Sequence, residues 1–312
     1  MNGENPAAPD RLPAMQKPDI SLAAAAGKLR QLTGETVRLV PITEGEDSRA
    51  FRYNLGNERF VLRINRSADG FAKDAYASRH FSAPALPIPA VVAHGVLDDG
   101  NGFCISHMAE GVTLQDLPPQ DLPPVLAPVA NVLQAIAVSD IGSARGYGPF
   151  DASGNGRNAS WTEFLSAVSA YDWGSVTGDD QVADMAGRCA ELARHCPDVR
   201  ALVHADFGSN NVLTDGRRIT GVIDWSEAMY GDPLYDIANI LFWRPWLDCM
   251  EQQARYFEVH RPDLVRDKTV LACYQLRIGL QQVHESAVDG ALDDMHWALQ
   301  RCRAIDSLLR TA

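Results

Sequence analysis

The 312-residue sequence lacks the features that mark secreted and membrane-spanning proteins. Its six cysteines are scattered and form no C-x-x-C pair, which predicts reduced thiols rather than a disulfide framework or a thiolate zinc site. Residues 1–19 contain no basic segment followed by an apolar run, and no apolar run reaches the roughly 18 residues of a membrane span. We therefore expect a cytoplasmic protein that does not enter a membrane.

Basic residues are also scarce, since 28 Lys and Arg stand against 40 Asp and Glu, for a formal net charge of −12 at pH 7. Because nucleic-acid phosphates are bound mainly by clustered Lys and Arg, nucleic acid is not the expected partner. Residues 1–108 contain 12 acids and 12 bases, so the whole negative excess lies in residues 109–312. This charge favours a small cationic or metal-bridged ligand, and we expect a monomer.

The order of hydrophobic patterns predicts an α+β protein in two lobes. Short alternating runs predict a small antiparallel sheet with strands at 37–42, 50–55, 59–64, 91–97 and 102–108. One helix is predicted before the sheet, at 21–32, and another between its third and fourth strands, at 71–81. Later, a Gly-rich loop at 141–156 and a β-rich island at 202–225 interrupt helical patterns at 125–138, 161–170, 181–195, 245–261, 268–288 and 292–309. We predict a flexible lead-in (1–20), a small N-terminal lobe (21–108) and a larger, mainly helical C-terminal lobe (109–312).

The β-rich island carries the polar residues with the most specific spacing. His204 comes two residues before Asp206, Asn211 five after it, and Asp224 another thirteen along, at the end of an apolar run. This is the spacing of the H-R-D-L-x-x-x-N catalytic loop of kinases and of their metal-binding Asp. Phosphoryl transfer needs an aligned hydroxyl and oxygen ligands for Mg²⁺. We predict Asp206 as the catalytic base and Asn211 and Asp224 as Mg²⁺ ligands.

Two other interpretations fit parts of the island. A lone H-x-D is most often a turn in which the Asp side chain caps the backbone, without a catalytic role. A zinc site built from His204, Asp206 and Asp224 is the second, but the sequence offers no further well-spaced His to complete it. The complete set of residues, with apolar runs on both sides, favours kinase chemistry over both interpretations.

The small lobe contains a candidate cation for the nucleotide phosphates. Phe60-Val-Leu-Arg63 resembles the V-A-I-K strand of kinases with Arg in place of Lys, although a solvent-facing strand arginine is the alternative. Asp74 is the nearest acid at the place where kinases carry the Glu partner of that cation. The loop over 43–51 has no G-x-G-x-x-G, so we expect Ser48 and backbone amides to cover the phosphates.

Taken together, these segments resemble the aminoglycoside phosphotransferase family, relatives of choline kinases and protein kinases. The resemblance rests on His204-Ala-Asp206-Phe-Gly-Ser-Asn-Asn211 and on Gly231-Asp232-Pro-Leu-Tyr-Asp236, a Gly-Asp-Pro-x-x-Asp marker of the family. It implies a protein-kinase-like two-lobed fold, ATP with Mg²⁺, and phosphorylation of a hydroxyl on a cationic aminocyclitol antibiotic. Segments such as Phe242-Trp-Arg-Pro-Trp246 resemble the family members that act on hygromycin B, which is the expected acceptor.

The resemblance also implies roles around the predicted centre. The nucleotide is expected to contact Arg63, Ser48, Ser106 and Met108, with its adenine on the backbone of 106–109. The active-site loop and the helix after it are expected to be ordered by His204, Asp232 and Asp236. Because the antibiotic carries ammonium groups and sugar faces, its predicted contacts are carboxylates, amides and aromatic rings, namely Asn210, Glu227, Trp243 and Trp246. For the two tryptophans, packing in the helical core is the alternative.

Three functions remain open at this point. The first is a kinase that inactivates hygromycin B, and the second is a kinase of the same fold that acts on another aminoglycoside or on an alcohol such as choline or homoserine. The third is a nucleotide-binding regulator without transfer activity. The presence of Asp206, Asn211 and Asp224 together favours an enzyme over a regulator.

Overall fold

The computed structural model describes residues 17–45 and 47–311. Residues 1–16, most of the predicted lead-in, lie outside the described residues. At the end of that segment Pro18 and Ile20 are buried, and Ile20 packs in a small hydrophobic core with Leu29 and Phe51. Residues 17–20 are therefore part of the folded small lobe. None of the helices in the described ranges is both long and apolar enough to cross a membrane.

The first part of the chain forms the predicted antiparallel sheet. Its elements are α1 (Leu22–Thr33), β1 (Val40–Pro41), β2 (Arg49–Leu55), β3 (Glu58–Asn65), α2 (Asp69–His80), β4 (Val91–Val96) and β5 (Gly102–His107). The strand order is β1-β2-β3-β5-β4. Burial alternates along β3, so Phe60, Leu62 and Ile64 enter the core while Arg63 lies on the opposite face of the sheet. The alternation thus aims this cation away from the small lobe's core.

The rest of the chain is mainly helical, with two small antiparallel sheets. Its helices are α3 (Pro123–Ala137), α4 (Trp161–Ser166), α5 (Trp173–Thr177), α6 (Asp180–Ala193), α7 (Leu234–Trp243), α8 (Asp248–His260), α9 (Lys268–Asp289) and α10 (Leu292–Thr311). Its strands are β6 (Val112–Thr113), β7 (Tyr147–Phe150), β8 (Gly156–Asn158), β9 (Ala201–Val203), β10 (Val212–Thr214), β11 (Ile219–Val222) and β12 (Met229–Gly231). One sheet has the order β11-β10-β6 and the other β8-β7-β12-β9.

Two sequence predictions about this part were wrong, and one helix was not predicted. The segment 141–156 is not all loop, because β7 lies within it and pairs with β12. The helix predicted to begin at Pro245 begins at Asp248. Helix α7 was missed, because eight consecutive residues from Tyr235 to Phe242 are buried and a helix that is buried all round shows no amphipathic period.

The two parts of the chain share one large hydrophobic core. Phe81, Leu86 and Ile88 precede residue 108, yet they pack in the core built mainly by the helical part. The end of α2 and the proline-rich segment after it therefore join the small sheet to the helices. The division of the chain at residue 108 stays a prediction.

Gly111 crosses β10 where there is no room for a side chain. Its φ is +94°, and a Cβ would lie 1.9 Å from the carbonyl oxygen of Thr214, whereas Gly216 has φ +90° with open space around it. We expect Gly216→Ala to cost about 1–2 kcal/mol for the left-handed backbone alone. Gly111→Ala should cost about 1–3 kcal/mol more because the backbone itself must move. Urea unfolding of both variants measures the difference, and equal losses would contradict the close approach.

Candidate active site

The loop between β9 and β10 contains a backbone conformation that a non-glycine residue rarely adopts. Ala205 has φ +69° and Asp224, just after β11, has φ +60°; they are the two non-glycine residues with positive φ in the described ranges. Such conformations cost about 1–3 kcal/mol each and cluster at functional sites, where neighbouring groups hold them in place. Both residues lie in the predicted catalytic island.

Asp236, in the first turn of α7, holds the first of these conformations. Its carboxylate accepts hydrogen bonds from the backbone N–H of His204 (3.0 Å) and of Ala205 (2.7 Å). The side chain is buried, and burial raises the pKa of Asp236 to about 7 although the two N–H bonds oppose the shift. Asp236 therefore fixes the loop immediately before Asp206.

His204 links this loop to the segment that carries Asp224. Its Nδ1 accepts from the backbone N–H of Asp206 (3.3 Å), and its Nε2 lies 3.1 Å from the carbonyl oxygen of Ile223. One neutral tautomer, with the proton on Nε2, satisfies both bonds. Complete burial lowers the pKa of His204 to about 4, although the bond to Ile223 opposes the shift, so the ring is neutral near pH 7.

Asn211 and Asp206 are held together by the amide nitrogen of Asn211. Its Nδ2 donates to the backbone oxygen (2.9 Å) and to the carboxylate Oδ2 (2.7 Å) of Asp206. Asp206 is exposed, although neighbouring groups, Asn211 among them, crowd one side of its carboxylate. Partial desolvation by these groups, together with the charges of Asp224 and Glu227, raises the pKa of Asp206 above its ordinary value.

The donor set around this loop suits magnesium better than zinc. Because both hydrogens of the Asn211 amide nitrogen are engaged, its Oδ1 is the atom left to bind a metal, and the Asp224 carboxylate supplies further oxygens. Mg²⁺ prefers a few such oxygens together with water and phosphate ligands. Within residues 17–45 and 47–311, no group of three or more His, Cys, Asp and Glu is placed to hold a metal ion, so the zinc interpretation gains no support.

A narrow cleft joins Asp224 to the small lobe. It is lined by the polar residues Arg63, Asp74, Ser106 and Asp224 and by the apolar residues Ile88, Pro89, Val91, Val222, Ile223 and Trp225. The geometry brings together Arg63, Ser106 and Asp224, which the sequence predicted at one site. Ser48 and Met108 are not among the lining residues, and the backbone N–H of Met108 donates to the carbonyl of Arg59 (2.9 Å).

Asp74 is the acidic partner of Arg63. The Asp74 carboxylate forms an ion pair with the Arg63 guanidinium, which also lies over the ring of Phe71, 5.1 Å from its centre. The other carboxylate oxygen of Asp74 accepts from the backbone N–H of Trp225 (2.7 Å), the residue after Asp224. Asp74 thus connects the cation of β3 with the backbone of the predicted metal ligand.

The glycine and the two aspartates of the Gly-Asp-Pro-x-x-Asp marker each have a structural role. A Cβ on Gly231 would lie 2.3 Å from the ring of Trp161, so only glycine fits there. Asp232 accepts from the backbone N–H of Leu234 (3.0 Å) and from the hydroxyl of Tyr274 (2.9 Å), and so orders the beginning of α7. Asp236 then reaches the catalytic loop.

A family model described as the phosphotransferase enzyme family, APH, matches residues 38–266. The chain belongs to the aminoglycoside phosphotransferase family. The hygromycin-B 4-O-kinase of Escherichia coli is 50% identical over 297 residues, which are 93% of this chain and 87% of that protein.

Solved structures of the same family share the fold. The crystal structure of aminoglycoside phosphotransferase APH(4)-Ia has a TM-score of 0.85 at 50% identity, covering 91% of this chain and 98% of that one. A thermostable mutant of that enzyme, in ternary complex with AMP-PNP and hygromycin B, has a TM-score of 0.84 at 51% identity. The match covers 90% of this chain and 96% of the mutant's chain. The predicted α+β, protein-kinase-like fold with two lobes is confirmed.

The predicted substrate contacts differ in their surroundings. Asn210 and Glu227 are exposed beside the catalytic loop and after Asp224 respectively, and the Asn210 amide oxygen accepts from the Ser209 hydroxyl (3.0 Å). Trp246 is exposed and Trp243 half-buried, so neither tryptophan is fully enclosed in the core.

Lys73 on α2 is a polar residue near this site that the sequence analysis missed. It is buried, and its Nζ donates to the carbonyl oxygen of Ser226 and lies 5.0 Å above the centre of the Phe150 ring. Burial lowers the pKa of Lys73 to about 8, while the charge of Glu227 opposes the shift. A lysine in a short helix with mixed composition gives no signal that distinguishes it from a solvated surface residue.

The neutral, buried state of His204 predicts a pH-dependent contribution to stability. Because its pKa is about 4 in the folded protein and about 6.5 when unfolded, the unfolded chain binds the proton first as the pH falls. The contribution of His204 to the free energy of unfolding is fully present above pH 6.5. It decreases by about 3 kcal/mol as the pH falls to 4. We expect the difference in unfolding free energy between wild type and His204→Gln to shrink by that amount from pH 7 to pH 4.

The comparison with the variant is needed because the raised pKa values of Asp206 and Asp236 act with the opposite sign in both proteins. Denaturant titrations at four pH values measure the difference. A constant difference between the two proteins would show that His204 does not titrate as a buried neutral ring.

Proposed function

We propose that the protein transfers the γ-phosphoryl group of ATP to the 4-hydroxyl of hygromycin B and thereby inactivates the antibiotic. One observation carries the proposal: Asp206, Asn211 and Asp224 lie at one site with the Arg63–Asp74 ion pair. The chain that forms this site is 50% identical to a hygromycin-B 4-O-kinase. We place this activity in the cytoplasm, where ATP is available, and in a monomer.

Asp206 acts as the base in this proposal. The bond from Asn211 orients Oδ2 of its carboxylate, which leaves Oδ1 for the acceptor hydroxyl. The raised pKa of Asp206 lies closer to neutral pH. A base whose pKa is near the working pH accepts a proton from an alcohol most effectively late in the transfer. The fixed backbone at Ala205 keeps the carboxylate in position and so lowers the entropic cost of alignment.

The nucleotide lies in the cleft between Arg63 and Asp224. Asn211 Oδ1 and the Asp224 carboxylate would hold Mg²⁺, which when bound neutralises charge on the β- and γ-phosphates. Arg63, held by Asp74, contacts phosphate oxygens through its planar fork, and Ser48 covers the phosphates from the loop before β2.

We assign the adenine to the apolar side of the same cleft. Ile88, Val91 and Val222 offer it apolar contacts, and Ser106 lies beside them. The backbone N–H of Met108 already donates to the carbonyl of Arg59. Adenine therefore forms its hydrogen bonds with other backbone groups of 106–109, and its amino group can donate to the Met108 carbonyl.

A transfer assay with radiolabelled ATP tests the proposal. We expect hygromycin B to be phosphorylated, and another aminoglycoside, choline and homoserine to stay at background. Asp206→Ala should fold but lose about 10²–10⁴-fold in turnover, since it removes a proton acceptor used in the transition state. Asp215→Ala is the matched control, because Asp215 is an exposed turn carboxylate paired with Arg218.

Two results would contradict different parts of the proposal. Transfer to another alcohol, with hygromycin B at background, would show that the acceptor is wrong while the kinase chemistry stands. Full turnover by Asp206→Ala would show that Asp206 is not the base. Circular dichroism of both variants establishes that they are folded.

A further inference from the structure

Two adjacent residues of α2 hold the two residues that follow Asp224. Asp74 accepts from the backbone N–H of Trp225 (2.7 Å), and the Nζ of Lys73 donates to the carbonyl oxygen of Ser226. Asp224 itself has a left-handed backbone, with φ +60°. Such a conformation persists only where neighbouring groups hold it in place. The two bonds from α2 therefore fix the backbone that carries the predicted metal ligand.

Helix α2 also packs directly against this segment. Gly70 lies one turn before Lys73, and a Cβ built on it would lie 3.1 Å from the Cβ of Ser226. The glycine thus lets the helix come close enough for Lys73 to reach the Ser226 carbonyl. On its other side the Nζ of Lys73 lies 5.0 Å above the centre of the Phe150 ring, which belongs to β7. The ammonium group is therefore held between two elements of the larger lobe.

The charges around the ammonium group of Lys73 are mostly negative. Lys73 is 7% exposed, and burial lowers its pKa to about 8, with the positive charge of Arg157 acting in the same direction. The negative charges of Glu227, Asp74 and Asp224 oppose that shift, so the group is mostly charged near pH 7. An apolar side chain would fill the same space without the cost of burying a charge. The buried cation therefore indicates a role for its charge and its donor.

We propose that Lys73 is a positioning residue for Mg²⁺ binding, because its bond to Ser226 keeps the Asp224 carboxylate directed into the nucleotide cleft. The proposal rests on the proposed function, in which Asp224 holds Mg²⁺. Asp74 fixes the amide side of the same segment while it pairs with Arg63. Lys73 fixes the carbonyl side. Helix α2 thus holds both the metal ligand and the phosphate-binding cation.

Binding of ADP with and without Mg²⁺ tests the role of Lys73. Lys73→Met keeps an unbranched side chain but loses the charge and the donor. We expect titration calorimetry to give a Kd for ADP with Mg²⁺ about ten-fold above that of wild type. The Kd for ADP in EDTA should stay unchanged, because only binding with Mg²⁺ depends on Asp224. Lys28→Met is the matched control with both Kd values unchanged, since Lys28 on α1 pairs with Asp98 and Asp99 far along the chain from the site.

A conservative substitution separates positioning from a merely structural role. Lys73→Arg keeps a positive charge and several donors, so we expect it to restore most of the affinity for ADP with Mg²⁺. A merely structural lysine would lower the melting temperature in Lys73→Met and leave the ratio of the two Kd values at its wild-type value. That result would overturn the proposal.

Hydrogen exchange in the ligand-free protein gives a second measurement. We expect faster amide exchange at residues 225–227 in Lys73→Met than in wild type, because one of the two bonds that hold this segment is lost. Wild-type exchange there would contradict the proposal.

A second variant leaves Lys73 in place and keeps the test decisive even if Lys73→Met does not fold. Gly70→Ala adds a methyl group that must displace Ser226, so we expect the Kd for ADP with Mg²⁺ to rise about three-fold. Gly187→Ala, in helix α6 with open space around it, is the control with the wild-type Kd. A wild-type Kd in Gly70→Ala would show that the contact between α2 and Ser226 does not position the metal ligand.

The results separate this inference from the proposed function, because binding of ADP with Mg²⁺ needs no antibiotic. If wild type does not phosphorylate hygromycin B but Lys73→Met shows the expected loss of affinity, the proposed acceptor is wrong and the role of Lys73 stands. If wild type phosphorylates hygromycin B and Lys73→Met binds ADP and Mg²⁺ with the wild-type Kd, the proposed function stands and Lys73 is not a positioning residue.

Discussion

The Asp236 carboxylate, 1% exposed in the first turn of α7, accepts hydrogen bonds from two consecutive amides of the loop that carries Asp206. A left-handed residue such as Ala205 persists only where its surroundings hold it in place, and these two bonds do so. A buried carboxylate without such donors would cost several kcal/mol, about as much as unpaired buried ions do. Loop and carboxylate therefore stabilise each other, and the position of Asp206 depends on both.

From this point, hydrogen bonds connect the whole site. His204 bridges the loop to the carbonyl of Ile223 and so to the left-handed Asp224, and Asp74 binds the next amide, that of Trp225. Asp74 also holds Arg63, the cation of the small sheet. The catalytic loop, the predicted metal ligand and the phosphate-binding cation are thus tied through buried bonds, which hold them in place before any ligand binds.

The sequence predicted the parts whose signal is local. The spacing of Asp206, Asn211 and Asp224 is fixed by one loop and one hairpin, and the sheet follows from strict alternation along strands such as β3. It did not predict α7, because full burial removes the amphipathic period from which helices are recognised. Lys73 was missed for a different reason, because its place near the site depends on long-range contacts with Ser226 and Phe150.

Amide hydrogen exchange of the catalytic loop, measured together with kcat in Asp236→Asn, tests most directly whether this carboxylate positions Asp206. Asp232→Asn is the control, because Asp232 accepts from the amide of Leu234 and from the Tyr274 hydroxyl without contacting the loop amides. The account predicts faster exchange at residues 204–206 and a fall in kcat of about ten-fold or more in Asp236→Asn, with loop exchange unchanged in Asp232→Asn. Protected loop amides and a wild-type kcat in Asp236→Asn would contradict it.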